Sequence, residues 1–151
     1  VADFAQPKLD IAASYDGVIP VNVRESNLQE EVARLTDGWG ADVVFECSGA
    51  AAVWSDIAAL PRPCGTIVAV GLPIDPVPFD IAGLSTRELR VETVFRYAHQ
   101  YDRALALMGS GRVDLKRLIS ATFPFEDAVA AFERAAEGRP ADVKLQICLE
   151  S

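Results

Sequence analysis

Asp3 closes a short extended run, Val1-Ala2-Asp3-Phe4, and stands just ahead of a helical pattern. Dinucleotide-binding folds put an acid at such a point to accept both ribose hydroxyls of an adenosine. A solvated acid at a strand end explains the residue equally well when it is taken alone. The first reading bears on cofactor choice, because a carboxylate about 4 Å from a ribose 2′-phosphate is repelled by roughly 1 to 4 kcal/mol. That is up to about three decades of discrimination in favour of NAD over NADP. Lys8 lies within reach of the same place, or is an exposed lysine. Arg96 follows an apolar run and carries a guanidinium that can fork to a phosphate or to substrate hydroxyls, or can sit in a surface ion pair. Tyr97 can hydrogen-bond a hydroxylated substrate or face a domain seam.

Other chemically capable residues suggest less. His99 is the only histidine and has no cysteine or paired acid beside it, so it carries neither a metal nor a general-base reading. Cys47, Cys64 and Cys148 are odd in number and widely spaced, which fits reduced, packed thiols and neither a disulfide framework nor a zinc knuckle. Glu126 and Asp127 open a helix and suit its dipole. Asp42 and Glu46 fall on a strand expected to be buried, so each needs a partner or an exit to water.

The elements that must position these groups read as α/β. Thr66 to Val70 is an almost wholly apolar, β-prone run ending at Gly71, as expected of a strand buried on both faces of a parallel sheet. Ala41 to Gly49 ends in the same way and should lie beside it. Ligands of open parallel sheets bind at the carboxyl ends of the strands, so Val70, Gly71 and Leu72 should offer peptide groups there. Leu89 to Phe95 reads as a further strand delivering Arg96 and Tyr97 to that end. Helices are expected over Gln6 to Ser14, from the capping residues Ser26 and Asn27 to Gly38, and over Ala50 to Leu60, where Pro61 and Pro63 forbid continuation. Val18 to Val21 reads as a brief strand. Val77 to Ile81, between prolines, is at most an edge segment.

The character changes near Tyr97 to Gln100. Two helices are expected, one around Tyr101 to Met108 and one around Phe125 to Phe132 that ends at Gly138. Val143, Leu145, Ile147 and Leu149 then alternate with polar residues, the pattern of a half-exposed antiparallel strand. Half of the 151 residues are hydrophobic, and 14 Lys and Arg face 22 Asp and Glu for a net charge of -8, which disfavours a nucleic-acid partner. No apolar run is long enough to span a bilayer, so no membrane role is expected and the cytoplasm is the expected compartment.

Val1-Ala2-Asp3, Glu46-Cys47-Ser48-Gly49, Cys64 to Leu72 and above all Val94-Phe95-Arg96-Tyr97 resemble the zinc-dependent medium-chain dehydrogenases, in particular the sorbitol and xylitol dehydrogenases. The resemblance runs through the whole chain in order. It implies a partial Rossmann fold, a doubly wound parallel sheet lacking strand one, over residues 1–97. A carboxyl-terminal α+β segment, 98–151, returns to the catalytic domain in relatives. It further implies that Asp3 and Lys8 hold the adenosine ribose of NAD and that Val70, Gly71 and Leu72 line the nicotinamide. Val94, Phe95 and Arg96 would contact the cofactor, with Arg96 and Tyr97 meeting a polyol substrate.

Departures from the family pattern are as informative. The Gly-rich first turn, strand one and the zinc ligands match nothing in these residues, so zinc belongs to the complete protein, an amino-terminal portion is expected to be missing, and no catalytic residue or metal ligand is assigned here. Cys64 stands where relatives usually have glycine, and lysine replaces the common arginine at Lys8. The activity implied is an NAD-dependent polyol dehydrogenase, with this chain inactive alone. The alternatives are a threonine or butanediol dehydrogenase of the same family, or a non-catalytic nucleotide-binding fragment. By the same resemblance, a homo-oligomer would form through segment 77–81.

Overall fold

The structure, a computed structural model, describes residues 1–149. They form two compact units, one of residues 1–26 together with the chain from Asp102 onward, the other Asn27–Tyr101.

In the second unit, Asn27 stays extended and its side-chain oxygen accepts from the N–H groups of Gln29 at 2.9 Å and Glu30 at 3.2 Å, starting α2 (Leu28–Leu35). Strands β3 (Ala41–Glu46), β4 (Pro61–Ala69) and β5 (Arg90–Thr93) form one parallel sheet in the order β3-β4-β5. Glu46 pairs with Ala69, and Ala69 with Thr93, so the three strands finish level. One face of this sheet is packed by Trp54, Ile57, Leu60 and Leu84 around the fully buried Ile67.

Several expectations change here. β3 is not buried on both faces: Val44 and Glu46 point inward, whereas Val43 and Phe45 are 44% and 65% exposed within this unit. Burial on two faces requires a layer on each side of a strand, and this unit supplies one. β5 is likewise exposed along its length. The helix expected over residues 50–60 is instead a pair of 3-10 turns, Ala51–Ser55 and Ile57–Ala59. These turns close on i→i+3 bonds, the Val53 N–H donating to the Ala50 carbonyl and the Leu60 N–H to the Ile57 carbonyl. Trp54 and Ile57 still reach the core, because the expected apolar spacing of three survives in a three-residue turn.

Val77 to Ile81 is not a strand. Its Val77 and Phe79 pack on the core, Phe79 meeting Trp54 edge-on at 5.4 Å, and Asp80 accepts from the Gly83 N–H at 3.0 Å to cap a short helix, α3 (Ile81–Thr86), that sequence reading missed.

In the first unit, β1 (Ala2–Asp3) pairs in parallel with β2 (Val21–Asn22), shorter and later than the expected Val18 to Val21. Between them, α1 (Gln6–Ala13) starts with Pro7 in its first turn and buries Leu9. Helix α4 (Tyr101–Gly109) begins on the last residue of the second unit. Two more strands, β6 (Ile119–Pro124) and β7 (Lys144–Cys148), flank α5 (Ala128–Glu137), which ends at Gly138 with φ +62°. β7 pairs with β6 in parallel, not antiparallel. Alternation reports that one face is wet, not which way the neighbour runs, and α5 supplies the crossover that a parallel pair needs. Residues 150 and 151 of the expected 98–151 segment lie outside the described residues. All three cysteines are free, as read, but exposed rather than packed.

Arg134 forks onto Asp142, Nε to Oδ2 at 2.8 Å and Nη2 to Oδ1 at 2.6 Å, tying α5 to the approach of β7. The hydrogen bond from Arg134 holds the Asp142 carboxyl below its ordinary 3.8. A depressed carboxylate stabilises the fold fully above its unfolded value and loses that contribution as pH falls through the folded one. Urea unfolding across pH should therefore find Asp142→Asn less stable than the parent at neutral pH, with the difference shrinking below pH 3.8.

Candidate functional site

The carboxyl ends of β3 and β4 are built around Glu46, a residue only 3% exposed. Oε1 accepts from the Ser48 N–H at 2.8 Å, the Ser48 hydroxyl at 2.5 Å and the Gly49 N–H at 3.1 Å, while Oε2 also lies 3.2 Å from the Gly49 nitrogen. The Glu46 carbonyl accepts from both the Val70 and Gly71 N–H groups at 2.8 Å. One residue thus holds both loops. Sequence reading required a partner for Glu46 but did not find this role. The available signal was a carboxylate on the last position of an apolar strand with Ser and Gly two and three residues on.

The two loops interlock at glycines. A Cβ on Gly71 would lie 2.2 Å from the Gly49 nitrogen and 2.5 Å from Oε2 of Glu46. Gly49, at φ +66°, would meet the Leu72 carbonyl oxygen at 2.9 Å in the same way. Since the N–H groups of Val70 and Gly71 are committed to Glu46, those two residues can offer a ligand carbonyl oxygen and not amide hydrogen. The side chains of Val70 and Leu72 remain exposed beside them.

β5 finishes next to this turn, its continuation held by the Val94 N–H donating to the Ala69 carbonyl at 3.0 Å. The structure therefore brings Val70, Gly71 and Leu72 together with Val94, Phe95 and Arg96 at one end of the sheet. Arg96 sits at φ +60°, its guanidinium carbon 5.1 Å from the Phe95 ring centroid, and makes no ion pair among the described residues. Tyr97 stands edge-on to Tyr101 with centroids 5.1 Å apart. The adjoining Tyr97 hydroxyl, and then desolvation, raise the Tyr101 phenol, which stays protonated at neutral pH.

Asp3 and Lys8 belong to the first unit. Oδ1 of the half-buried Asp3 accepts from the Ala5 N–H at 2.8 Å, fixing the entry to α1, and Oδ2 has no hydrogen-bond partner among the described residues. Lys8 is half-buried on the first turns of α1. Asp42, the other acid in doubt, exits to water and meets Arg62 at 2.5 Å. No group of three or more His, Cys, Asp or Glu among the described residues can hold a metal ion. Cys47, though exposed at the surface, is a poor thiolate as well, because desolvation by its neighbours, and then the Glu46 charge, push its thiol up.

Backbone atoms face the Gly71 Cβ position, so relief requires one loop to move. Gly71→Ala should lower unfolding stability by about 1 to 3 kcal/mol in urea titrations, and limited proteolysis should cut more rapidly near residues 47–50.

A family model described as zinc-binding dehydrogenase matches residues 1–110. "Putative D-xylulose reductase" of Agrobacterium fabrum is 65% identical over 149 residues, covering 99% of this chain and 43% of that protein. D-xylulose reductase of Morganella morganii is 43% identical over 138 residues, covering 91% of this chain and 41% of that protein. Of solved structures, an alcohol dehydrogenase from Thermus sp. ATN1 superposes with a TM-score of 0.84 at 32% identity, over 95% of this chain and 41% of that one. The chain thus spans about two fifths of the length of the curated relatives it matches. The family model covers well over half of the chain, and the chain belongs to the zinc-binding dehydrogenase family.

Proposed function

We propose that the chain is the cofactor-binding and carboxyl-terminal part of an NAD-dependent polyol dehydrogenase of the xylitol and sorbitol type. The reaction moves a hydride between a secondary carbinol carbon and the nicotinamide, interconverting a ketose such as D-xylulose with its polyol. The observation that carries this reading is the 65% identity, over 99% of the chain, to a relative named for D-xylulose reduction. In this reading residues 1–97 are the second part of the NAD-binding domain and 98–151 the segment that returns to the catalytic domain.

The residues fit the cofactor. Asp3 keeps one carboxylate oxygen for the ribose hydroxyls while the other fixes α1, and Lys8 lies on the same helix entry. Carbonyl oxygens from Val70 to Leu72 suit the donor face of a carboxamide, on a surface bare of Cβ at Gly71. Val94 and Phe95 wall the same end, and Arg96 has its guanidinium uncommitted for a phosphate or, with Tyr97, for polyol hydroxyls. NAD, when bound, supplies the hydride acceptor. In this reading zinc belongs to the complete enzyme, with its ligands outside this chain. The same reading places the enzyme in the cytoplasm as a homo-oligomer, but not by edge-strand pairing through residues 77–81, since that segment forms no strand and turns Val77 and Phe79 to the core; among the described residues no helix is long and apolar enough to cross a membrane.

A substrate panel tests the activity. The complete enzyme should reduce D-xylulose with NADH faster than it oxidises butanediol or threonine with NAD, and the reverse order would assign it elsewhere in the family.

Asp3 is tested by charge. Asp3→Asn preserves the acceptor for the Ala5 N–H but removes the repulsion, so the ratio of kcat/KM for NADH over NADPH should fall by about one to three decades. An unchanged ratio would refute the role.

A further inference from the structure

We propose that Glu46 is a positioning residue for hydride transfer, holding the loop after β3 against the loop after β4 so that Val70 to Leu72 present the nicotinamide at the reacting distance. This rests on the reading above and deepens it, because Glu46 itself touches neither cofactor nor substrate in that reading.

The argument starts from what else could hold these loops. Beyond Glu46 the chain has left the β3 ladder, and the N–H groups of Ser48 and Gly49 are donated only to the Glu46 carboxylate, at 2.8 Å and at 3.1 and 3.2 Å. The Ser48 hydroxyl adds a donor at 2.5 Å and itself accepts from the Ala50 N–H at 3.1 Å, which carries the restraint into the first 3-10 turn. On the other side, the Glu46 carbonyl takes the Val70 and Gly71 N–H groups, each at 2.8 Å. Gly49 and Leu72 are then pressed so close that a methyl group on Gly49 would sit 2.9 Å from the Leu72 oxygen. Position in one loop is therefore transmitted to the other by contact. A buried carboxylate with three convergent donors is a stiffer tether than a neutral acceptor, since hydrogen bonds to an ionised group are shorter and roughly twice as strong. Gln at this position retains the shape and can leave its oxygen on the Ser48 donors, but it loses the charge and turns an amide N–H₂ toward the Gly49 N–H that Oε2 faces.

The test uses the complete enzyme and compares Glu46→Gln, Ser48→Ala and, as a control on the same strand, Asp42→Asn, whose exposed carboxylate meets only Arg62. Rates are expressed per folded site from near-ultraviolet circular dichroism. Glu46→Gln should lower kcat/KM for NADH by about ten- to a hundredfold, with KM for D-xylulose little changed. It should also raise the primary isotope effect with 4-deuterated NADH, because a misplaced nicotinamide makes hydride transfer more rate-limiting. Ser48→Ala should move the same quantities in the same direction and less far, and Asp42→Asn should move none. A role confined to stability would lower the folded fraction and leave the per-site values and the isotope effect at those of the parent, and that result overturns the proposal. Should Glu46→Gln fail to fold, parent values in folded Ser48→Ala overturn it as well. A parent enzyme that does not use NADH at all would overturn the underlying reading, and this inference with it.

Discussion

An ionised carboxylate removed from water costs several kcal/mol unless donors replace its hydration. At Glu46 the replacement is local, coming from Ser48 and Gly49 within three residues, so the debt is settled by bending the chain back on itself. That bend is the entry to everything at the carboxyl end of the sheet. It brings Gly49 onto Leu72, leaves Gly71 no room for a side chain and commits two amide hydrogens of the β4 turn to one carbonyl. The polar character left for a ligand there is that of an acceptor surface flanked by apolar side chains. Strand pairing sets the coarse position of these loops, and the carboxylate sets the fine one.

Much of this was readable from residue types. Asn27 ahead of Gln29 and Glu30 announced a capped helix, and the cap forms. Gly138 announced a helix end and takes up the left-handed conformation that glycine tolerates. The apolar run into Gly71 gave β4, and the glycine itself marked where backbone approaches backbone. Family resemblance in the Val94 to Tyr97 stretch pointed to a zinc-dependent dehydrogenase, and the relatives agree.

What was not readable has physical reasons. Helix α3 hides in six residues that include a glycine, behind a loop of prolines, and only the Asp80 cap marks it. The parallel direction of β7 depends on a partner that periodicity does not name. Exposure of Val43 and Phe45 depends on how many layers cover a strand, a property of the assembled unit and not of the strand. Asp3 was legible as an acid at a strand end. That one of its oxygens would be taken by the Ala5 N–H was not, because an Asp followed by any residue with an N–H looks the same in sequence.

At the opposite end of the sheet, β4 opens irregularly. Ala41 pairs with Pro61 and Val43 with Thr66, so two steps along β3 correspond to five along β4, and the slack is gathered around Cys64 at φ +60°. From Val43 onward the pairing runs residue for residue to Glu46. The bulge behaves as an expansion joint: it absorbs the extra residues at the amino end of the strand while alignment at the carboxyl end stays locked. Residues 61 to 65 are held in their own right, Pro61 fully buried and Gly65 without room for a Cβ beside the Arg62 carbonyl oxygen, whereas a single insertion between Thr66 and Gly71 would turn every downstream side chain to the other face.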